Sequence, residues 1–314
     1  VSLRRSEAAM IVVITAEEVQ QQLSVAGETL SAPDDADFEE AISTRSRTIN
    51  VALIGNPNSG KTSLFNAISG GHEHVGNYSG VTVDAKRGEY RYGGYRFVIT
   101  DLPGTYALSA YTPEELYVRR HLVNDTPDVV VNAVVASNLE RNLYLTTELI
   151  DIDPKMVVAL NMYDELEASG AVLDYEHLGA MLGVPMVPVV AKTGRGLETL
   201  LDTVIAVYEN RDPRVRHIHI NNGPVVEQAL RPLYERLRSD RDELPKHFPP
   251  RYFAMKLLER DKEVEAQLAD CPHFAEWIAL RDRAVPQVEE ELGEDVETAL
   301  ANQKYGFISG ALKE

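Results

Sequence analysis

This chain of 314 residues is short of cysteine, of basic side chains and of long apolar runs, and each shortage excludes something. Its one cysteine, Cys271, rules out an internal disulfide framework and an all-cysteine zinc site within one chain, and it fits a reducing setting. No apolar run approaches the ~20 residues that span a bilayer, so these residues are expected to be soluble as they stand. The chain opens on Val1 without a signal-peptide pattern and reads as a fragment, one that can belong to a membrane protein. Only 31 Lys and Arg stand against 49 Asp and Glu, a formal net charge of −18. That deficit argues against a general nucleic-acid binder, which needs surplus cations to neutralise phosphates. Internal repeats and low-complexity tracts are absent as well.

What remains is an ordinary apolar share, 44%, in a chain long enough for about two domains. Residues 1–48 hold 9 acids and 4 bases, with an apolar run at Ala8–Ile14 that reads as a short strand and an acidic, polar linker behind it. From Ile49 the pattern changes. Apolar runs of strand length at Val51–Ile54, Tyr95–Thr100, Val129–Val135, Met156–Leu160 and Met186–Val190 alternate with helical stretches near 61–69, 113–124, 140–151, 174–182 and 196–209. Such alternation predicts a parallel sheet covered by helices on both faces. Gly93-Gly94, between Gly88–Tyr92 and Tyr95–Thr100, predicts a hairpin and so one antiparallel strand among six. Residues 49–210 are therefore expected to form one α/β domain. Residues 211–314 are expected to be all-helical, over 224–240, 251–269, 273–284 and 286–301, with a modestly basic half (211–260, 11 bases and 7 acids) and an acidic one (261–314, 5 and 13).

The chemistry is concentrated in the α/β part. Gly55-Asn56-Pro57-Asn58-Ser59-Gly60-Lys61-Thr62 follows a strand and opens a helix, the full phosphate-loop pattern. Glycines let backbone N–H groups curl around a phosphate, Lys61 reaches the terminal phosphates, and the Thr62 hydroxyl is an oxygen ligand for Mg²⁺, with Ser63 beside it in the first helical turn. Asp101-Leu102-Pro103-Gly104 follows 40 positions after Lys61, so that Asp101 can hold Mg²⁺ through water and the Gly104 N–H can sense a γ-phosphate. Asn161-Met162-Tyr163-Asp164 follows a further strand; a carboxylate there accepts from guanine N1–H and its 2-amino group, which selects GTP over ATP. The usual lysine of that motif is Met162, whose apolar chain can still cover the base. Val190-Ala191-Lys192 comes after another strand, suited to a backbone N–H on guanine O6. Together these motifs, in this order, specify a GTP-binding switch protein. Gly71–Lys86 is the candidate first mobile loop, with Gly80 and Val81 leading to Thr82, which would complete the Mg²⁺ shell. Gly104 to about Glu115 is the second.

One more absence is informative. Many GTPases place a Gln directly after Asp-x-x-Gly to orient the attacking water, and here Thr105 stands there. Hydrolysis would then rest on Lys61, Thr82, the Gly104 N–H and extra positive charge, and a K⁺ ion held by the Asn58 side-chain carbonyl is one source of that charge. Bracing of the loop by Asn58 is the equal alternative on chemistry alone.

Gly55–Asn66, Val75–Lys86, Asp101–Tyr106, Ser137–Leu149 and Asn161–Asp164 together resemble the cytosolic region of the ferrous-iron transport protein B family. Ser137–Leu149 lies outside any nucleotide motif, so generic GTPase ancestry does not account for it. The resemblance covers about 49–210 closely, and 211–314 resembles the family's helical domain, which there slows nucleotide release and leads into the membrane part. It implies GTP and GDP as ligands, Mg²⁺, K⁺-stimulated hydrolysis through Asn58, Fe²⁺ uptake through an attached transmembrane region, and a place on the cytoplasmic face of the bacterial inner membrane. Val190 stands where the family often has a small hydroxyl residue. Ser2–Ala9 resembles the last strand of the small ferrous-iron transport protein A, which implies an A–B fusion with residues 1–48 as remnant and linker.

The other candidates are weaker. His72/His74 and His217/His219 are better read as solvated loop histidines than as metal ligands, and Cys271-Pro272-His273 has too few ligands for a site. A soluble GTPase acting on ribosomal or transfer RNA would share the motifs but needs a basic appendage, which neither 1–48 nor 261–314 supplies. A nucleotide-binding scaffold without hydrolysis is the third reading. A second copy of the chain is a further candidate partner; nucleic acid is not.

Overall fold

In the computed structural model, residues 47–70, 73–75, 85–109 and 111–313 are described. The expectations for 1–46, for the loop residues 71–72 and 76–84, and for the side chains of 73–75 lie outside them.

Among the described residues, seven strands form one sheet in the order β2-β3-β4-β1-β5-β6-β7. They are β1 (Thr48–Gly55), β2 (Glu73–Val75), β3 (Lys86–Tyr92), β4 (Tyr95–Asp101), β5 (Val129–Val135), β6 (Met156–Asn161) and β7 (Met186–Pro188). The fold class is the one expected, with β3 the one antiparallel strand; the sheet gains the short edge strand β2, which pairs antiparallel with β3. A three-residue strand inside a polar loop leaves no periodic signal to read. Gly93 and Gly94 have φ of 58° and 80°, the left-handed pair that a tight hairpin demands.

Helices cover both faces. They are α1 (Lys61–Ser69), α2 (Pro113–Asn124), α3 (Leu139–Ile152), α4 (Tyr163–Ala168), α5 (Tyr175–Leu182) and α6 (Leu197–Tyr208), then the bundle α7 (Gly223–Ser239), α8 (Pro250–Leu258), α9 (Lys262–Leu268), α10 (Phe274–Leu292) and α11 (Val296–Ala311). Alternation along the strands sorts the core. Val51 and Leu53 point to one side with Phe65 of α1 and Leu200 and Val204 of α6. Ala52 and Ile54 point to the other, with Leu145 and Leu149 of α3. That second core continues without a break into the bundle through Phe253, Leu257 and Trp277. Residues 48–314 accordingly form one compact unit.

Three boundaries in the bundle differ from expectation. The stretch 251–269 is two helices, because Arg260 adopts φ 57° and Asp261 caps α9 by accepting from the Val264 N–H at 2.9 Å. Conversely, Pro286 does not end a helix. α10 runs through it to Gly293, whose left-handed φ of 71° makes the stop. An internal proline costs ~3 kcal/mol, but α10 buries Trp277, Ala284, Val285 and Val288 in a continuous strip, and that burial outweighs the lost backbone bond. Last, α11 begins at Val296, where Asp295 caps it by accepting from the Thr298 N–H.

Candidate functional site

The loop between β1 and α1 folds as the motif requires. Asn58 and Gly60 take φ of 65° and 75°, and the Ser59 N–H returns to the Asn56 carbonyl at 3.1 Å. A Cβ on Gly60 would lie 2.3 Å from Asn161 Nδ2, and one on Gly104 would lie 3.0 Å from the Pro57 backbone. Both glycines are fixed by close approach. Asn56, Pro57, Asn58, Ser59, Gly60, Lys61, Thr62, Ser63 and Gly104 line a cleft of about 410 Å³. Ser59 Oγ and Asn56 Oδ1 are buried there without a protein partner. Gly55, last of β1, accepts from the Thr105 N–H at 3.1 Å and so ties the loop to the segment after Asp101.

Lys61, Thr62 and Asp101 converge at the cleft floor. Lys61 Nζ pairs with Asp101 Oδ1, and the Thr62 hydroxyl donates to Asp101 Oδ2 at 3.2 Å. Lys61 and Asp101 are buried, while Thr62, Ser63 and Asn58 are exposed to the cleft side. Oxygen donors beside a lysine suit a hydrated Mg²⁺ next to phosphate.

Asn161 is the brace between loops. Its Nδ2 donates to the Ser59 carbonyl at 2.9 Å and its Oδ1 accepts from the Ala191 N–H at 3.1 Å. Met162 follows with φ 56°, and its Cε lies 3.2 Å from the position a Gly60 Cβ would take, so its side chain reaches the phosphate loop. Asp164 is exposed in the first turn of α4. Val190 closes a tight turn by accepting from the Thr193 and Gly194 N–H groups at 3.1 and 3.0 Å, which leaves Lys192 exposed at its tip. Gly80, Val81 and Thr82 lie outside the described residues.

The segment after Gly104 is held by its own contacts. The Thr105 hydroxyl is committed to the Ala107 carbonyl at 2.7 Å, so it does not substitute for the absent Gln. Tyr106 stacks under the Arg141 guanidinium at 4.3 Å. Glu115 Oε2 gathers the Ser109 hydroxyl and the Tyr111 and Thr112 N–H groups, which fixes the start of α2.

Residues that sequence reasoning missed tie this segment to the bundle. Arg119 forms a two-bond pair with Asp261 at 2.6 and 3.1 Å, both buried. Tyr111 donates to Glu297 of α11 at 2.5 Å. Glu148 of α3 accepts from the Leu108 N–H, pairs with Lys304 of α11, and lies 3.7 Å from Lys256 of α8. Lys304 also meets Asp151 at 2.8 Å, and Lys256 meets Glu259 at 2.6 Å. Burial works to raise the Glu148 pKa, but the two lysines prevail and hold it at about 2. Burial works to lower the Lys304 pKa, and the carboxylates around it push it well up instead. A hydrophobic pattern cannot announce such a network, since Lys304 reads from sequence as a surface lysine.

Two histidines of the sequence reading are close together. His217 Nδ1 lies 2.8 Å from Asp153, and the His217 and His219 rings are 4.6 Å apart. Among the described residues they do not gather a three-donor set, which occurs elsewhere.

Among known proteins, the family described as ferrous iron transport protein B matches residues 49–204, and the FeoB cytosolic helical domain matches 223–314. The Fe(2+) transport protein A/Fe(2+) transporter FeoB fusion protein of Porphyromonas gingivalis is 49% identical over 290 residues, covering 91% of this chain and 34% of that protein. The Fe(2+) transporter FeoB of Methanocaldococcus jannaschii is 36% identical, covering 85% of this chain and 39% of that protein. The chain thus spans a third or slightly more of the length of these relatives. The crystal structure of NFeoB from S. thermophilus bound to GDP·AlF4⁻ and K⁺ is 36% identical with a TM-score of 0.73, covering 85% of this chain and 100% of that one.

Proposed function

We propose that this chain, which belongs to the ferrous iron transport protein B family, binds and hydrolyses GTP at the β1–α1 loop and through that cycle controls Fe²⁺ passage in an attached membrane region. The observation that carries this reading is the convergence of Lys61, Thr62 and Asp101 under a glycine-built cradle that Asn161 joins to the 190–192 turn. No helix among the described residues is long and apolar enough to cross a membrane.

The arrangement explains each role. Lys61 exchanges its Asp101 partner for the β- and γ-phosphates when nucleotide arrives, so the buried ion pair is a placeholder for the ligand. The backbone N–H groups of Asn58–Lys61 and the start of α1 face the phosphates. Asp164 receives the guanine N1–H and amino group. The Ala191 N–H is committed to Asn161, which makes the Lys192 N–H the donor to guanine O6. Met162 covers the loop under the nucleotide. Thr62 and Asp101, with Thr82 from the first loop, would hold Mg²⁺, and Asn58 would hold K⁺; when bound, these cations supply positive charge against the γ-phosphate as it leaves. Thr105 is spent on Ala107, so the attacking water is oriented by the Gly104 backbone.

Residues 1–48 would be the tail of a transport-protein-A-like part joined to this one. The match to the P. gingivalis fusion supports this, being longer than residues 48–314 alone and so reaching into the first 47. The site belongs on the cytosolic side, next to the membrane region as partner. An RNA partner is disfavoured by the charge balance.

The test is GTP turnover in KCl and in NaCl at equal ionic strength. Turnover should be faster in K⁺, and Asn58→Ala should remove the difference while GTP still binds. Equal rates in both salts would remove K⁺ from the mechanism, and preference for ATP would remove the guanine reading.

A further inference from the structure

We propose that Asp240, Glu243 and His273 form a binding site for a first-row divalent transition ion, of the Fe²⁺, Mn²⁺ or Zn²⁺ type, at the junction of α7 and α10 in the helical bundle. The proposal does not depend on the nucleotide reading.

The three residues come from two places in the chain and meet at helix ends. Asp240 is the residue after α7, Glu243 closes the single 3₁₀ turn Arg241–Glu243 that follows, and His273 is the residue before α10. His273 Nδ1 lies 2.5 Å from Glu243 Oε1 and 3.9 Å from Asp240 Oδ1, and one donor atom from each residue lies within 4.8 Å of the others. Two ligands held 2.0–2.2 Å from one ion stand about 3–4 Å apart, so small side-chain rotations bring all three to one centre. An imidazole nitrogen with two carboxylates suits Fe²⁺, Mn²⁺ or Zn²⁺, whereas Mg²⁺ prefers an all-oxygen octahedron. Cys271-Pro272-His273 was too poor in ligands to read as a site because the other two donors lie about thirty positions earlier.

The surroundings are built for it. Asp240 is buried, and its second oxygen accepts the Trp277 indole N–H at 2.8 Å, an outer partner that orients the carboxylate. The His273 N–H reaches Glu243 Oε2 at 3.3 Å and steadies the second carboxylate. Arg241 lies between the two acids in sequence, yet its guanidinium is turned to the carbonyls of Leu244, Pro245 and Lys246, so it does not fill the cluster with its own charge. Arg236 is shared between Asp240 at 3.2 Å and Glu276 at 3.0 Å. With neutral imidazole, three carboxylates against one guanidinium leave the cluster anionic. His273 is 38% exposed, which gives an ion a way in.

Trp277 is the one tryptophan of the chain and touches a proposed ligand, so its emission is the readout. The whole chain, stripped with chelator and free of nucleotide, is titrated with Zn²⁺, Mn²⁺ and, without oxygen, Fe²⁺, with Mg²⁺ as comparison. The site predicts a saturable emission change with the transition ions below about 1 mM and none with Mg²⁺. His273→Ala and the near-isosteric Glu243→Gln should each weaken it roughly tenfold or more, while Thr62→Ala, which removes the phosphate-loop hydroxyl, should leave the curve in place. Should His273→Ala fail to fold by circular dichroism, Glu243→Gln carries the decision alone. A flat titration, or a curve that Glu243→Gln does not move, makes the cluster a helix-end ion pair only and overturns the proposal.

Discussion

Lys61–Asp101 and Lys304–Glu148 are both buried lysine–carboxylate pairs, and they do opposite work. Lys61–Asp101 sits on the floor of an open cleft, with a hydroxyl beside it and partnerless polar atoms nearby. Lys304–Glu148 sits in a sealed contact between α3 and the bundle, with Lys256, Asp151 and Glu259 completing a network of five charges. Water or ligand can replace either member of the first pair. Nothing can replace a member of the second. A buried ion pair is thus a site in waiting where a cavity adjoins it and a strut where none does, and removal of one partner should separate the two cases.

The largest effect is expected at the strut. Lys304→Ala leaves Glu148 and Asp151 buried against Lys256 alone, and breaking such a pair from one side costs about 3–5 kcal/mol. Urea unfolding of residues 48–314 should report that loss. Lys61→Ala should cost less than that, because Asp101 keeps the Thr62 hydroxyl as a donor and the adjoining cleft leaves room for water where the lysine was, yet it should abolish tight nucleotide binding. Similar stability losses in the two variants would erase the distinction.

The strut also sets an acid limit. The Glu148 pKa is depressed from its ordinary 4.5 to about 2, so its contribution is fully present above pH 4.5 and is lost as pH falls toward 2. Glu259 runs the other way: burial raises its pKa, so it costs stability above its ordinary 4.5 and less as pH falls. Unfolding free energy measured against pH should therefore fall below pH 4.5, and Glu148→Gln should flatten the slope in that window. An unchanged slope would place the acid sensitivity elsewhere.

The two regions differ in how far the sequence discloses them. Gly55–Thr62, Asp101–Gly104 and Asn161–Asp164 are contiguous motifs whose spacing is imposed by phosphate and base, so ligand chemistry writes them into short words. The hairpin at Gly93-Gly94 and the apolar run Val51–Ile54 of β1 were legible for the same reason of local constraint. The strut joins positions 156 residues apart, and nothing local marks Lys304 as buried. Pro286 misled in the bundle because packing of α10 overrode a local rule, and Arg260 because a left-handed residue other than glycine carries no signature. The Asn161 brace was half legible: its motif named it, but its bonds to Ser59 and Ala191 required the fold.

At the cleft, Asp164→Asn should weaken GTP binding by on the order of 2–4 kcal/mol, since it replaces a charged acceptor of two donors by an amide with only one acceptor. A fluorescent GTP analogue measures it. Asp164 is exposed and carries none of the strut's load, so the unfolding curve should not move. A variant with unchanged affinity would show that the base rests on another part of the loop set.

The smallest effect is expected at Tyr111, the residue that belongs to both regions. It follows the Asp101–Gly104 segment and donates to Glu297 of α11, so it links the cleft's second loop to the bundle by one bond. That bond raises the Tyr111 pKa to about 12. A raised value means its contribution is present below the ordinary 10 and fades as pH climbs toward 12. Tyr111 is 72% exposed, so solvent screens the bond and Tyr111→Phe should cost no more than about 1 kcal/mol. GDP release is the sharper readout. If the loop is held by the strut, through the Leu108 N–H on Glu148, Tyr111→Phe leaves the release rate within about twofold. If Tyr111 is itself the latch, release accelerates well beyond that while stability barely changes, and the division between cleft and strut gives way to a single coupled element.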